Sequence, residues 1–95
     1  MVRLVTTLGP KRSAELGMIL PHEHIFVDLR TWDTPGYALA ETEDVIQLMA
    51  PELTKAQTAG VTAIVECSTV GVGRRADICR AVSEATNFPL VIPTG

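Results

Sequence analysis

The chain has 95 residues, enough for one small domain, and 46% of them are hydrophobic, so it can bury a core. Its formal charge is −3 and no cluster of basic residues exceeds a pair, which argues against a nucleic-acid partner. No apolar run approaches the ~18 residues of a membrane span, and polar residues interrupt the N-terminal stretch that a signal peptide would need. Two cysteines make no disulfide framework, so we expect reduced thiols and a cytoplasmic protein.

Residues 3–17 predict a small hairpin or lid that leads into the first core strand. Residues 4–8 form a short, partly alternating apolar run, and Gly9 with Pro10 is a turn signal. Residues 13–17 are too few to form a stable helix by themselves.

The first core strand is predicted over residues 18–24, and it carries both histidines of the chain. His22 and His24 lie two residues apart, and alternate residues of a strand project from the same face. Two imidazoles on one face can bind one metal ion, and imidazole suits zinc, copper, iron and nickel. Glu23 would point to the opposite face, in a structural role. The alternative is that both rings belong to an edge strand or face water from a loop, without a ligand.

Helices and strands alternate along the rest of the chain. Residues 28–40 predict a loop, in which Trp32 and Tyr37 pack on the domain surface rather than line a pocket. Pro51 would clash with the preceding turn of a continuous helix, so two short helices are expected, near 42–49 and over 51–59. The remaining predicted elements are strands over 61–67 and 90–92 and a helix over about 74–86.

This order predicts an α/β fold with parallel strands joined by helical crossovers. Three such strands leave two open edges and one uncovered face. A (β/α)₈ barrel takes ~200 residues or more. A doubly wound fold would also need more strands, so we expect the front third of something larger, or a subunit that completes itself with other copies.

Four further polar residues lie near the predicted strand ends, and a structural interpretation is favoured for each. Asp28 could reach the metal region from its loop, but solvation is favoured. Cys67 could bind metal as a thiolate, but a small buried hydrophobe is favoured. Glu66 ends its strand near the same rim. Ser68 could cap the following segment, and a nucleophilic role lacks an accompanying base.

Six short segments stand in a specific order and spacing. They are residues 7–10 (TLGP), 15–17 (ELG), 20–25 (LPHEHI), 59–66 (AGVTAIVE), 68–74 (STVGVGR) and 94–95 (TG). With these segments the chain resembles, along essentially its whole length, the N-terminal part of phosphotriesterase-family enzymes in the amidohydrolase superfamily. The resemblance implies a (β/α)₈ TIM barrel, of which residues 1–95 supply the N-terminal fragment: the hairpin, three parallel strands and two crossover helical segments of a single domain.

The resemblance also implies a metal centre and a reaction. In that family the first-strand histidines, here His22 and His24, bind one of two divalent ions, usually zinc. A hydroxide activated by the metals then attacks a phosphotriester or lactone substrate. The other family ligands come from later strands, and Lys11 and Lys55 cannot replace the family's lysine, so residues 1–95 alone should be inactive. Arg75 departs from the family pattern, which often has an acidic residue there.

Two other functions stay open at this point. One is a non-catalytic, truncated βαβ module that assembles through its open sheet edges, which would make it a homo-oligomer. The other is a carrier of a single metal ion. The hydrolase hypothesis differs from both in requiring a small-molecule ester or lactone as its partner.

Overall fold

The computed structural model describes residues 3–93. At its start β1 (Arg3–Thr6) pairs antiparallel with β2 (Gly9–Arg12), and a 3₁₀ turn at Ser13–Glu15 follows. The hairpin predicted for this region is therefore confirmed. The chain turns at residues 7–8, and Gly9 takes a φ of +97°, which a residue without a side chain adopts readily.

Three parallel strands form the main sheet. They are β3 (Met18–Glu23), β4 (Val61–Glu66) and β5 (Leu90–Val91), and β4 lies between the other two. Spatial order thus follows chain order, as it does for consecutive strands of a (β/α)₈ barrel. The predicted α/β fold with three parallel strands and helical crossovers is confirmed.

The first crossover is one continuous helix, α1 (Thr42–Thr58), so the expectation of two short helices is wrong. Pro51 lies inside α1 and cannot donate a hydrogen bond to the carbonyl of Gln47 one turn earlier. Both residues are exposed, so that carbonyl can bond to water instead. Val45 and Leu53 are buried on either side of the proline, which holds both halves of the helix against the same core.

The second crossover contains α2 (Ala76–Thr86), which ends at Asn87 in the predicted left-handed conformation, with a φ of +53°. Neither this helix nor α1, the two α-helices within residues 3–93, is long and apolar enough to cross a bilayer. The core lies between the helices and the sheet. Its fully buried members include Ile78, Val82, Phe88 and Leu90.

The two edges of the sheet are not equivalent, although two open edges were expected. The Thr7 N–H donates to the Leu90 carbonyl at 2.8 Å, and the Leu90 N–H donates to Thr7 Oγ1 at 3.1 Å. The hairpin turn therefore closes the start of β5. At the other edge β3 pairs with β4 alone among residues 3–93, and Met18 and Ile19 on it are 56% and 36% exposed.

The segment between β3 and α1 has no regular structure, as predicted, and folds around Asp28. This carboxylate is buried, pairs with the Arg30 guanidinium at 2.6 Å and accepts the Ala38 N–H at 2.7 Å. The hydrogen bonds from Arg30 hold the pKa of Asp28 well below its usual range. The expected solvation of Asp28 is therefore wrong. Arg75 anchors the same segment by donating to the Ala38 carbonyl at 2.6 Å.

The two aromatic residues of this segment differ. Trp32 is 81% exposed, so its predicted packing on the domain surface is wrong, whereas Tyr37 is partly buried. The Thr34 N–H donates to the Thr31 carbonyl at 3.0 Å, and this turn carries the indole at its tip, away from the core.

Candidate metal centre

A β-bulge shapes the end of β3. Leu20 aligns with Ile64 and Glu23 with Glu66, so β3 advances three residues while β4 advances two. Pro21 lies within the bulge, where the missing N–H of a proline is tolerated. The bulge sets the direction in which the following residues leave the sheet.

Both histidines lie at this end of β3, together with Cys67. The rings of His22 and His24 are exposed, and their centroids are 5.9 Å apart with planes at 87°. One nitrogen of each ring and the Cys67 sulfur all lie within 4.8 Å of one another. The Cys67 N–H donates to the Glu23 carbonyl at 2.9 Å, which places the thiol beside the histidines. The structure thus brings the two predicted ligands together and adds a third donor atom.

Cys67 is not the small buried hydrophobe that the sequence favours. It is partly exposed, whereas Cys79 on α2 is 1% exposed. The reason is strand alternation: Glu66, the last residue of β4, points into the domain, so the next residue faces the histidines. Burial, with the charges of Glu66 and Glu23, raises the pKa of the Cys67 thiol. A bound cation would oppose these effects.

Two buried polar side chains hold the ring of His24 from behind. Ser68 Oγ is 2.7 Å from His24 Nδ1, and its single proton can go to the Phe26 carbonyl at 2.9 Å or to the Glu66 carboxylate. With the hydroxyl proton on either of these oxygens, His24 Nδ1 is the donor to Ser68 Oγ. The lone pair of His24 is then on Nε2, and Nε2 is 3.4 Å from the Cys67 sulfur.

Sequence reasoning missed this role of Glu66 and Ser68. Both are 0% exposed, and Glu66 Oε1 accepts the Ser68 N–H at 3.1 Å and lies 3.7 Å from His24 Nδ1. The feature of the sequence that could have indicated this role is the carboxylate of Glu66 at the end of a mostly apolar strand. Ser68 does not cap the next segment, because its hydroxyl points back to Phe26. Nor is it an accessible nucleophile, since it is fully buried.

The histidine pair fits a metal of the zinc type. Two imidazole nitrogens on a tetrahedral zinc, each ~2.0–2.1 Å from the ion, lie ~3.3–3.4 Å apart. The ligand nitrogens here lie within 4.8 Å, and the exposed ring of His22 can rotate to shorten that separation. Glu23 is exposed between the histidines and contributes its backbone carbonyl to the site.

Parallel strands in chain order, with side chains at their carboxyl ends that could hold a metal ion, are typical of a segment of a (β/α)₈ barrel with a candidate metal centre. The model of the phosphotriesterase family matches residues 2–95, and the chain belongs to that family. Its solved structural neighbours are TIM-barrel phosphotriesterases, in agreement with the fold expected from the sequence.

Three relatives illustrate the similarity. The phosphotriesterase homology protein of Mycobacterium tuberculosis is 31% identical over 97 residues, which cover 100% of this chain and 29% of the relative. A double mutant of the organophosphorus hydrolase from Deinococcus radiodurans superposes with a TM-score of 0.81 at 26% identity, covering 97% of this chain and 28% of that one. A structure from the engineering of organophosphate hydrolysis in a weak promiscuous lactonase template gives a TM-score of 0.81 at 26% identity, covering 96% and 28%. The chain spans less than a third of each.

Proposed function

We propose that this chain supplies the histidine pair of a divalent metal centre in a hydrolase that cleaves ester-type bonds. One observation carries the proposal: ligand nitrogens of His22 and His24 lie within 4.8 Å of each other at the carboxyl end of β3. In (β/α)₈ barrels this is the end of the strands where the chemistry takes place. Membership of the phosphotriesterase family supports the hydrolase class.

Zinc is the metal we propose, with two ions in the complete site. When bound, it supplies a Lewis acid that polarises the substrate and lowers the pKa of water. The residues of this chain hold the ion and orient the ligand atoms. Two neutral imidazoles bind a cation without cancelling its charge, and Ser68 keeps Nδ1 of His24 protonated so that Nε2 is the ligand atom.

The proposed substrate is a small-molecule phosphotriester or lactone. An organophosphorus hydrolase and an engineered lactonase template are both among the similar structures, which supports these two chemistries. We also propose that residues 1–95 are the N-terminal part of a single barrel domain, that they are inactive alone, and that the protein acts in the cytoplasm.

A zinc titration tests the metal site. The chain with His22→Ala and His24→Ala should lose zinc binding, because both nitrogen donors are gone. Glu23→Gln is the matched control, since this exposed side chain lies between the two histidines and supplies no ring. In a protein of the relatives' length that carries this segment, the double variant should also lose hydrolysis of a phosphotriester and a lactone. Unaltered zinc content and rate would refute the proposal.

The exposed edge of β3 favours a second function, a non-catalytic module that assembles through this strand. Met18 and Ile19 present apolar side chains there, and an open strand edge can pair with another copy. Sedimentation of the 95-residue chain tests whether this second function applies. A homo-oligomer that Ile19→Lys dissociates would support assembly, whereas a monomer with cooperative unfolding would contradict it.

A further inference from the structure

The geometry points to Cys67 as a third ligand of the metal that His22 and His24 bind, through its thiolate sulfur. This inference rests on the proposed function and adds to it a specific donor set of two nitrogens and one sulfur. The chain would then hold one ion with three protein ligands and leave a fourth position open, the pattern of catalytic zinc sites.

The distance between donor atoms is the first argument. Zinc binds histidine nitrogen at ~2.0–2.1 Å and cysteine sulfur at ~2.3 Å, so the two atoms lie ~3.5–3.6 Å apart in a tetrahedral site. His24 Nε2 and Cys67 Sγ are 3.4 Å apart. The sulfur lies closer to Nε2 than to Nδ1, which is 3.8 Å away. The two distances place the sulfur against the ring between its two nitrogens, and the partly exposed Cys67 side chain can turn about its Cα–Cβ bond toward Nε2.

The backbone keeps the sulfur in this place. The Cys67 N–H donates to the Glu23 carbonyl at 2.9 Å, and in the metal-free chain the thiol also donates to the same oxygen at 3.3 Å. The N–H bond is the one that remains when the thiol loses its proton. Glu23 is the residue between the two histidines, so one backbone group positions the thiol relative to both rings. This pairing extends the contact between β3 and β4 by one residue beyond Glu66.

Glu66 does not compete with Cys67 for the ion. Its carboxylate is 0% exposed, and its Oε1 already accepts the N–H of Ser68 and lies within hydrogen-bond distance of the Ser68 hydroxyl. That oxygen lies 3.7 Å from His24 Nδ1, the nitrogen that also contacts Ser68 Oγ. The third donor atom that faces the site is therefore sulfur rather than oxygen.

Coordination replaces the S–H bond of Cys67 with a sulfur–metal bond, and the proton passes to solvent. Thiolate and imidazole together suit zinc and its neighbours in the transition series, whereas magnesium, calcium and manganese prefer oxygen ligands. We therefore expect zinc and cobalt(II) to bind this chain and magnesium to fail as a competitor.

Cobalt(II) spectroscopy on the 95-residue chain tests the inference. The wild-type complex should show the near-ultraviolet charge-transfer absorption of a thiolate bound to cobalt. Cys67→Ala should lose that band and bind cobalt at least ~10-fold more weakly. Removing a residue that hydrogen-bonds to a metal ligand already costs ~10-fold or more in affinity, and removing the ligand itself should cost at least as much. Cys79→Ala is the matched control, because Cys79 is the other thiol and lies buried on α2. It should keep the band.

A second measurement does not depend on any variant. Iodoacetamide labels free thiols, and peptide mass spectrometry locates the label. Zinc should slow labelling of Cys67 in the wild-type chain by more than ~10-fold, in line with the tight binding of thiolate to zinc. Equal labelling of Cys67 with and without saturating zinc would overturn the inference.

The outcomes separate this inference from the proposed function. Cobalt binding that needs the histidines but shows no charge-transfer band, with an unchanged affinity in Cys67→Ala, removes Cys67 from the site and leaves the histidine pair in place. Failure of the wild-type chain to bind cobalt or zinc at all would overturn both. A charge-transfer band that survives in Cys67→Ala but disappears in Cys79→Ala would identify Cys79 as the bound thiolate. That result would also overturn the inference.

Discussion

Replacing Ser68 with alanine tests how the protein orients His24. The substitution removes one oxygen that joins three groups. Ser68 Oγ accepts from His24 Nδ1 at 2.7 Å and donates to the Phe26 carbonyl at 2.9 Å or to the Glu66 carboxylate. Without it the imidazole can rotate, and either ring nitrogen can carry the proton.

Two magnitudes follow from these contacts. Glu66 keeps the Ser68 N–H at 3.1 Å, but either its carboxylate or the Phe26 carbonyl loses the hydroxyl donor, and under-bonding a buried acceptor costs about 1–3 kcal/mol. We therefore expect the free energy of unfolding of the metal-free chain to fall by ~2 kcal/mol. Zinc affinity should fall roughly 10–100-fold, as it does when the partner of a metal-bound histidine is removed, which equals ~1.4–2.8 kcal/mol.

Urea unfolding followed by circular dichroism measures the first quantity, and a competitive zinc titration measures the second. Ser83→Ala is the matched control. Ser83 is also 0% exposed, and its hydroxyl donates to the Phe88 carbonyl at 2.6 Å, so it should lose comparable stability. It lies on α2 and should leave zinc affinity unchanged. Wild-type zinc affinity in Ser68→Ala, or an equal loss in Ser83→Ala, would contradict the argument.

Three further predictions concern the fold. Gly73→Ala should lower the free energy of unfolding in urea by about 1–3 kcal/mol. Gly73 has a φ of +84°, and an added Cβ would lie 2.7 Å from Asp28 Cβ. An unchanged free energy of unfolding would refute this packing. Pro51→Ala should stabilise it by about 1–3 kcal/mol by restoring the helical bond to Gln47, and a destabilised variant would contradict a continuous α1. Asp28 has a lowered pKa, so its stabilising effect is present above its ordinary value of 3.8 and lost as the pH falls through the folded value. Acid unfolding should therefore be steeper for the wild-type chain than for Asp28→Asn, and parallel curves would count against the Arg30 pair.

The parts of the fold that sequence predicted depend on local preferences. Strand β4 is an apolar, β-branched run, and Asn87 ends α2 because asparagine tolerates a left-handed backbone. Pro51 shows where a local rule fails. Its cost to an isolated helix is real, but burial of Val45 and Leu53 on both sides of it outweighs that cost in the folded chain.

For the candidate site, the sequence by itself determined that His22 and His24 lie on one side of a strand end, because two residues are one period of a strand. Only the tertiary structure decided what surrounds them. Cys67 and Ser68 are 43 and 44 positions from His24 along the chain, and the parallel pairing of β4 with β3 brings them into contact. That contact depends on the register of two strands across a bulge, and register is a property of the packed sheet rather than of either segment alone.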